Sequence, residues 1–344
     1  MRRIGTACIL LVAMGGFGFG VYAGLGHLRK VDAGGTGTSA SSPDHATARI
    51  TLPGTLFVAQ AGSLYRMHNG AFTKLSLNGL AYVTQPSVTA DGTHLLVVSR
   101  QAEFSDVYLV GLDGTVITQL THNQAPPKST DVSDNHWSFT PRQASDGTIF
   151  TSDDRPKNGY EVDLAIWTRP MQGAATPSTQ WSVPNSYTGG DLDPIPLTGG
   201  GILYTKFAID GSGQVFSQIW MQSAPMTNGI ALTTQADDCS EPALSSDQSE
   251  IAMVCSHGQQ TTDLVTAHLA GTTIGPVKTI VSNQYCASPA WSPDGTGLVY
   301  VKPSTVGSPF QLWWARNVEG KSPKLTQVTT NVALDATSAP AWIP

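Results

Sequence analysis

Three carboxylates beside two prolines are the residues best placed to do chemistry. Asp191 and Asp193 lie just before Pro194, and Glu241 lies directly before Pro242. The two prolines are 48 residues apart. Carboxylates that lie together attract a metal cation or a basic segment of a partner. The alternative is that they are solvated side chains on separate loops. Which of the two applies depends on the elements that carry them.

Three cysteines form a second candidate site. If the chain folds back at Asp247-Gln248, Cys239 lies opposite Ser256, one residue from Cys255. We therefore expect a Cys239–Cys255 disulfide in an oxidising compartment. Cys255–Cys286 is the second possible pairing, because Cys286 holds the same position as Cys239 one repeat later. Three buried free thiols are the remaining alternative.

The chain lacks the motifs of common catalytic and cofactor sites. It contains no G-x-S-x-G elbow, no H-E-x-x-H, no Walker loop and no G-x-G-x-x-G. Asp91, Asp146 and Asp294 each stand directly before a glycine, and we interpret them as residues that stabilise turns. We expect no cofactor and no enzymatic activity, and we make no assignment of a metal.

An internal repeat identifies the elements that carry these residues. The segment 288–295 (SPAWSPDG) precedes an apolar run at residues 298–301, and the same plan recurs upstream. In each unit a short strand meets a turn, typically Asp-Gly, and an apolar strand returns beside it. Third and fourth strands complete a unit of about 50 residues, which is typical of one blade of a β-propeller. The prolines that mark the units are Pro86, Pro141, Pro194, Pro242 and Pro289, which are 55, 53, 48 and 47 residues apart.

The two ends of the repeat array predict a closed ring. Residues 338–342 (SAPAW) copy the first-strand pattern, and no second strand follows them. Residues 54–76 supply a second, third and fourth strand without a first. The C-terminal strand therefore completes the first blade and leaves no open edge in the ring. This predicts an all-β, six-bladed propeller over residues 49–344, and a pair of β-sandwiches is the alternative.

The repeat resembles the WD-like repeat of the TolB-type propeller superfamily. The resemblance covers roughly residues 50 to 344 and is strong in the segment 288–295. It is thin at residues 199–201, where glycines replace the aspartate turn, and at Asp247-Gln248, which lacks the glycine. The resemblance implies six blades and an extracytoplasmic scaffold or regulatory lid. It implies no catalytic residue, because the repeat is a folding motif.

The N-terminal 26 residues predict a membrane anchor or a signal peptide. Residues 4–26 contain no charged residue and are long enough to cross a hydrocarbon core of about 30 Å. We expect a single-pass anchor in the cell membrane with the propeller outside the cytoplasm, joined by a flexible linker at residues 27–48. The alternative is secretion after cleavage near Ala23. Arginines and lysines flank both ends of the segment, so the expected orientation rests on the low charge and the cysteines.

Composition narrows the function. Charged residues make up 13% of the chain and the net charge is −6, so no basic stripe exists to bind nucleic acid. The leading hypothesis is a monomeric propeller that binds a protein or peptide partner at one face. A carbohydrate- or cell-wall-binding module is the second, with exposed tryptophans such as Trp137 and Trp181 as stacking platforms. A hydrolase or lyase that uses channel carboxylates is the third.

Overall fold

Short antiparallel strands separated by tight turns make up the computed structural model of the chain, which describes residues 48–155, 163–171 and 179–344. The predicted anchor at residues 1–26, and the linker up to residue 47, lie outside the described residues. In the part that is described, no helix is long and apolar enough to span a membrane.

The strands form six sheets, one for each blade, which follow each other along the chain. The C-terminal strand β25 (Ala341–Ile343) is the exception, because it joins the first blade. A short 3-10 helix (Val132–Asp134) lies in the connection between blade two and blade three. Blade one contains β25 (Ala341–Ile343), β1 (Thr55–Gln60), β2 (Ser63–His68) and β3 (Ala71–Lys74); blade two β4 (Val83–Val88), β5 (His94–Arg100), β6 (Ser105–Gly111) and β7 (Val116–Gln119); blade three β8 (Ser138–Gln143), β9 (Ile149–Asp153), β10 (Ala165–Arg169) and β11 (Thr179–Gln180). Blade four contains β12 (Asp191–Pro196), β13 (Ile202–Ile209), β14 (Val215–Gln222) and β15 (Ile230–Ala231); blade five β16 (Cys239–Leu244), β17 (Glu250–Cys255), β18 (Thr262–Ala270), β19 (Thr273–Ile274) and β20 (Lys278–Gln284); blade six β21 (Ala287–Trp291), β22 (Gly297–Pro303), β23 (Phe310–Arg316) and β24 (Lys324–Gln327).

The first strand of every blade lines a central channel. These strands contact one another in a closed series, from β25 through β4, β8, β12, β16 and β21 back to β25. Because consecutive strands are antiparallel, each blade sends its connections alternately to two faces. We call the face that carries residues 183–190, 210–214 and 256–261 the upper face. The lower face carries the turns at residues 91–92 and 294–295.

The core consists of layers between adjacent blades. In β1, Leu56 and Val58 pack against blade six, whereas Phe57 packs against blade two. Successive side chains point to opposite sides of a strand, so a strand that is buried on both sides is apolar throughout. This explains why the second strands of the repeat read as continuous apolar runs and do not alternate with polar residues.

Strand β25 closes the ring. It pairs with β1, and the opposed residues are Ile343 with Thr55, Trp342 with Leu56 and Ala341 with Phe57. The closure predicted from residues 338–342 is therefore confirmed, and the chain is a six-bladed all-β propeller.

The turn aspartates stabilise the lower face. Asp294 accepts hydrogen bonds from the Ser292 hydroxyl (2.5 Å) and from the backbone N–H of Thr296 (3.1 Å). The equivalent bonds from Thr89 and Thr93 lower the pKa of Asp91 to about 2. These carboxylates are occupied as acceptors within their own turns, as the sequence analysis expected.

Candidate functional site

A ring of β-bulges shapes the central channel. In five blades the first strand shifts register at the residue before the blade proline. Proline has no N–H to donate to the neighbouring strand, and a bulge accommodates the residue that is left over. The residue before the proline adopts a positive φ, which is uncommon outside glycine and typical of functional or tightly constrained positions. These residues are Gln85, Thr140, Asp193, Glu241 and Ser288, with φ between 47° and 56°.

The bulge residues connect adjacent blades around the channel. Thr140 donates its backbone N–H to the side-chain oxygen of Gln85 at 2.9 Å, and Gln85 donates its own N–H to the Ser338 hydroxyl at 2.8 Å. Ser288 donates its N–H to the Glu241 carboxylate. Because the bulge frees these N–H groups from the strand ladder, each can use an acceptor from the neighbouring blade.

Two of the predicted carboxylates meet in this ring. The Thr205 hydroxyl donates to Asp193 at 3.3 Å and accepts the Glu241 N–H at 3.2 Å, so one side chain bridges the two bulges. Burial raises the pKa of Glu241 to about 8, although the N–H of Ser288 opposes this, and the nearby charge of Asp193 raises it further. Burial also raises the pKa of Asp193. The channel therefore holds a carboxyl group that keeps its proton near neutral pH.

Arg142 is a cation close to Asp193, and the sequence did not predict it. It lies one residue after Pro141 on the first strand of blade three. Burial lowers its pKa, and the charge of Asp193 opposes that effect. The same guanidinium works against the increase in the pKa of Asp193. Arg142 and Asp193 therefore each favour the charged form of the other. The position of Arg142 on an inner strand beside the repeat proline was the available signal.

Asp191 lies apart from this pair. Its fully buried carboxylate accepts from Lys206 at 3.2 Å, and burial raises its pKa to about 6 against the opposing effect of that ammonium group. Lys206 also donates to the carbonyl of Val183 at 2.8 Å. Through Lys206, Asp191 is therefore linked to the Val183 carbonyl on the upper face. Within the described residues, no group of three or more His, Cys, Asp and Glu side chains is arranged to hold a metal ion.

Cys239 and Cys255 lie directly opposite each other in the β16–β17 pair and form a disulfide with an S–S distance of 2.07 Å. Sequence reasoning placed Cys239 opposite Ser256. The bulge in β16 shifts the register by one residue, and Cys239 faces Cys255 as a result. Cys286, the other candidate partner, is a buried free thiol, and burial raises its pKa to about 12.

The tryptophans are packed against other side chains. All eight are buried or half-buried. Trp137 stacks on Phe139 with ring centroids 5.8 Å apart, and the Arg100 guanidinium lies 5.4 Å from the centroid of its ring. Trp181 packs edge-on against Phe150 at 5.2 Å. The structure therefore places neither Trp137 nor Trp181 as the exposed stacking platform that the carbohydrate hypothesis requires.

A cleft opens on the upper face between blades four and five, and nothing in the sequence analysis pointed to it. Its volume is about 220 Å³. Strands β13, β14, β16, β17 and β18 contribute its walls, together with Asp238 directly before β16. The side chains that line it are Phe207, Val215, Phe216, Ser217, Asp238, Ser240, Val254, Ser256 and Thr262.

Three exposed apolar side chains lie on the same face as the cleft. Val183 is 59% exposed, Tyr187 79% and Ile209 44%. The loop that carries Val183 and Tyr187 is tied to strand β13, because Asn185 donates to the Phe207 carbonyl at 2.7 Å. We call Val183, Tyr187 and Ile209 the upper patch.

The fold and this face define the class of the protein as a six-bladed propeller with a cleft and an apolar patch on one face. No sequence family matches the chain, and no curated protein sequence matches it. Two solved structures of TolB-type propellers resemble it. TolB from Acinetobacter baumannii aligns with a TM-score of 0.62 and 17% identity, over 85% of this chain and 67% of that chain. A putative TolB from Agrobacterium tumefaciens aligns with a TM-score of 0.53 and 14% identity, over 87% and 99% of the two chains.

This chain is therefore a TolB-like six-bladed propeller in fold. A Mycobacterium tuberculosis puromycin-hydrolyzing peptidase also aligns, with a TM-score of 0.48 and 14% identity, over 80% of this chain and 42% of that one. At these identities the likeness to the two TolB structures extends to the fold and no further.

Proposed function

We propose that this chain is a non-enzymatic, extracytoplasmic propeller that binds a protein or peptide partner on its upper face. The upper patch is the observation that carries the proposal. Exposed apolar side chains gathered on one face are typical of protein interaction sites, and Val183 and Tyr187 share a loop that is tied to the strand of Ile209. The TolB-like fold supports a scaffold role by analogy.

The exposure of Tyr187 is built into the fold. Asp163 accepts the backbone N–H groups of Tyr187 (2.7 Å), Thr188 (2.9 Å) and Gly189 (2.8 Å). Tyr187 also has a positive φ of 63°, an unusual conformation for an aromatic residue. These contacts hold the loop with the ring in solvent. An aromatic residue on a loop whose backbone is fixed in this way suits an interface anchor, because the loop loses little conformational freedom on binding.

Affinity isolation from the native envelope tests this function. The full chain, Tyr187→Asp and Ile117→Asp are compared by quantitative mass spectrometry. Ile117 is the control, because it is 48% exposed on the outer strand of blade two. A partner should be recovered with the full chain and the control and reduced about thirtyfold with Tyr187→Asp, the effect of losing a hot spot of about 2 kcal/mol. Equal recovery by all three proteins would refute the proposal.

The proposed location is the outer side of the cell membrane, with residues 4–26 as a single-pass anchor. The uncharged run of residues 4–26 and the low share of charged residues support this location. The Cys239–Cys255 pair supports it too, because disulfides persist in oxidising compartments. Secretion after cleavage near Ala23 is the alternative within the same proposal.

A further inference from the structure

The cleft beside the upper patch has the size of one amino-acid side chain. Pockets for drug-sized ligands are about 300–1,000 Å³, and this cleft measures about 220 Å³. It opens on the same face as Tyr187 and shares strand β13 with the upper patch. A segment of a partner that covered the patch would therefore be able to place one side chain in the cleft.

The lining has an apolar part and a polar part. Phe207, Val215 and Phe216 come from blade four, and Val254 comes from blade five. Asp238 and Ser240 supply a carboxylate and a hydroxyl. A side chain with an apolar stem and a cationic end matches both parts, because lysine and arginine bury their methylene groups and keep the charge at a polar site.

The carboxylate of Asp238 is fixed, and most of its acceptor capacity is used. Its Oδ1 accepts the N–H of Ser217 at 2.7 Å and the hydroxyl of Ser217 at 2.9 Å. Its Oδ2 accepts the hydroxyl of Ser256. A carboxylate has about four acceptor positions, so one position remains on Oδ2. Among the described residues, Asp238 forms no ion pair with a lysine, arginine or histidine.

One open acceptor position favours an ammonium group over a guanidinium group. Arginine binds carboxylates best through two parallel hydrogen bonds, which need both oxygens free. Lysine presents a compact charge with three donors, which suits the remaining position on Oδ2 and the Ser240 hydroxyl in the same cleft.

We infer that this cleft binds a lysine side chain of an extended segment of the partner. The inference rests on the proposed function and names the chemistry of the residue that is recognised. Two other carboxylates on the upper face, Asp210 and Asp263, favour a cationic guest, and His257 is held by Asp263 at 3.7 Å.

Short peptides test the inference on the full chain in detergent. The probes are acetyl-Ala-Lys-Ala-amide and its arginine, glutamine and norleucine analogues. Binding is followed by NMR of the methyl groups of Val215 and Val254, which line the cleft. We expect the lysine peptide to shift these signals and to bind at least about tenfold more tightly than the other three. Equal binding of the norleucine peptide, or tighter binding of the arginine peptide, would overturn the inference.

Variants separate this site from the rest of the upper face. Asp238→Asn should weaken the lysine peptide about tenfold, whereas Asp237→Asn should leave it unchanged. Asp237 is the matched control, because its carboxylate accepts from Thr234 and does not line the cleft. Ser240→Leu fills the cleft but keeps the carboxylate, and should have the same effect as Asp238→Asn. If Asp238→Asn fails to fold, Ser240→Leu provides the test of lysine binding in the cleft.

Partner recovery distinguishes the two proposals. If Tyr187→Asp abolishes recovery but Asp238→Asn and Ser240→Leu change neither recovery nor peptide affinity, the cleft inference fails and the proposed function stands. If the two cleft variants lower both, the inference is supported. If Tyr187→Asp has no effect on recovery, the proposed function fails, and the peptide affinities still decide whether the cleft prefers lysine.

Discussion

Removal of strand β25 should destabilise the entire propeller. Truncation after Asp335 deletes residues 336–344 and leaves strand β1 as an open edge next to the channel. It also removes contacts to two other blades. The Ser338 hydroxyl accepts the N–H of Gln85 at 2.8 Å, and the carbonyl of Ala336 accepts the Ser288 hydroxyl at 2.9 Å.

The size of the effect follows from the side chains that are lost. Loss of a core tryptophan costs about 3–5 kcal/mol, and loss of a core isoleucine about 2–5 kcal/mol. Trp342 and Ile343 are half-buried, so we take about half of each value. The result is about 2.5–5 kcal/mol, a large share of the 5–15 kcal/mol that stabilises a typical domain. At about 2 °C per kcal/mol for a chain of this size, the Tm should fall by at least about 5 °C.

Calorimetry or circular dichroism on the purified proteins checks this prediction. Deletion of residues 31–47, which lie outside the described residues, is the control and should leave the Tm nearly unchanged. A monomeric truncated protein with the Tm of the full chain would show that ring closure by β25 does not stabilise the fold.

Three further predictions concern the channel, the cysteines and the location. Glu241 has a raised pKa in the folded protein, so it favours folding at low pH, and this contribution is lost as pH rises from about 4.5 through about 8. Glu241→Gln should therefore be more stable than the natural chain at pH 9 and similar at pH 5 in urea unfolding, and an equal difference at both values would contradict this. Non-reducing peptide mapping of protein from the envelope should find Cys239 linked to Cys255 and Cys286 free, and three alkylatable thiols would contradict it. A reporter that is active only outside the cytoplasm should be active when fused at Pro344, and activity of only a cytoplasmic reporter would refute the proposed location.

The repeat predicted the fold because each blade is a local unit. Its proline, turn and apolar strand lie within about 50 residues, and the incomplete units at the two ends required a shared blade. The disulfide partner was within reach for the same reason, because Cys239 and Cys255 belong to one hairpin. The predicted pairing of Cys239 with Ser256 was wrong by one residue. The bulge at Glu241 inserts an extra residue in β16, and counting back from the turn of the hairpin does not reveal it.

The candidate sites were only partly predictable. The repeat placed Asp193 and Glu241 in adjacent blades at equivalent positions, and the structure joins them through Thr205. Arg142 was not predicted, because an electrostatic interaction between neighbouring blades leaves no fixed spacing in the sequence. The cleft escaped for a stronger reason. Five strands of two blades and the connection before β16 line it, and no motif relates residues that come together only when blades pack.

Site-specific photo-cross-linking in intact cells tests the central claim most directly. A photoreactive phenylalanine replaces Tyr187 on the upper patch in one strain and Ile117 on the outer strand of blade two in another. We predict a discrete adduct of the same mass in every preparation from position 187, and none from position 117. Absence of an adduct at position 187, or the same adduct from both positions, would contradict the claim that the upper face binds a partner.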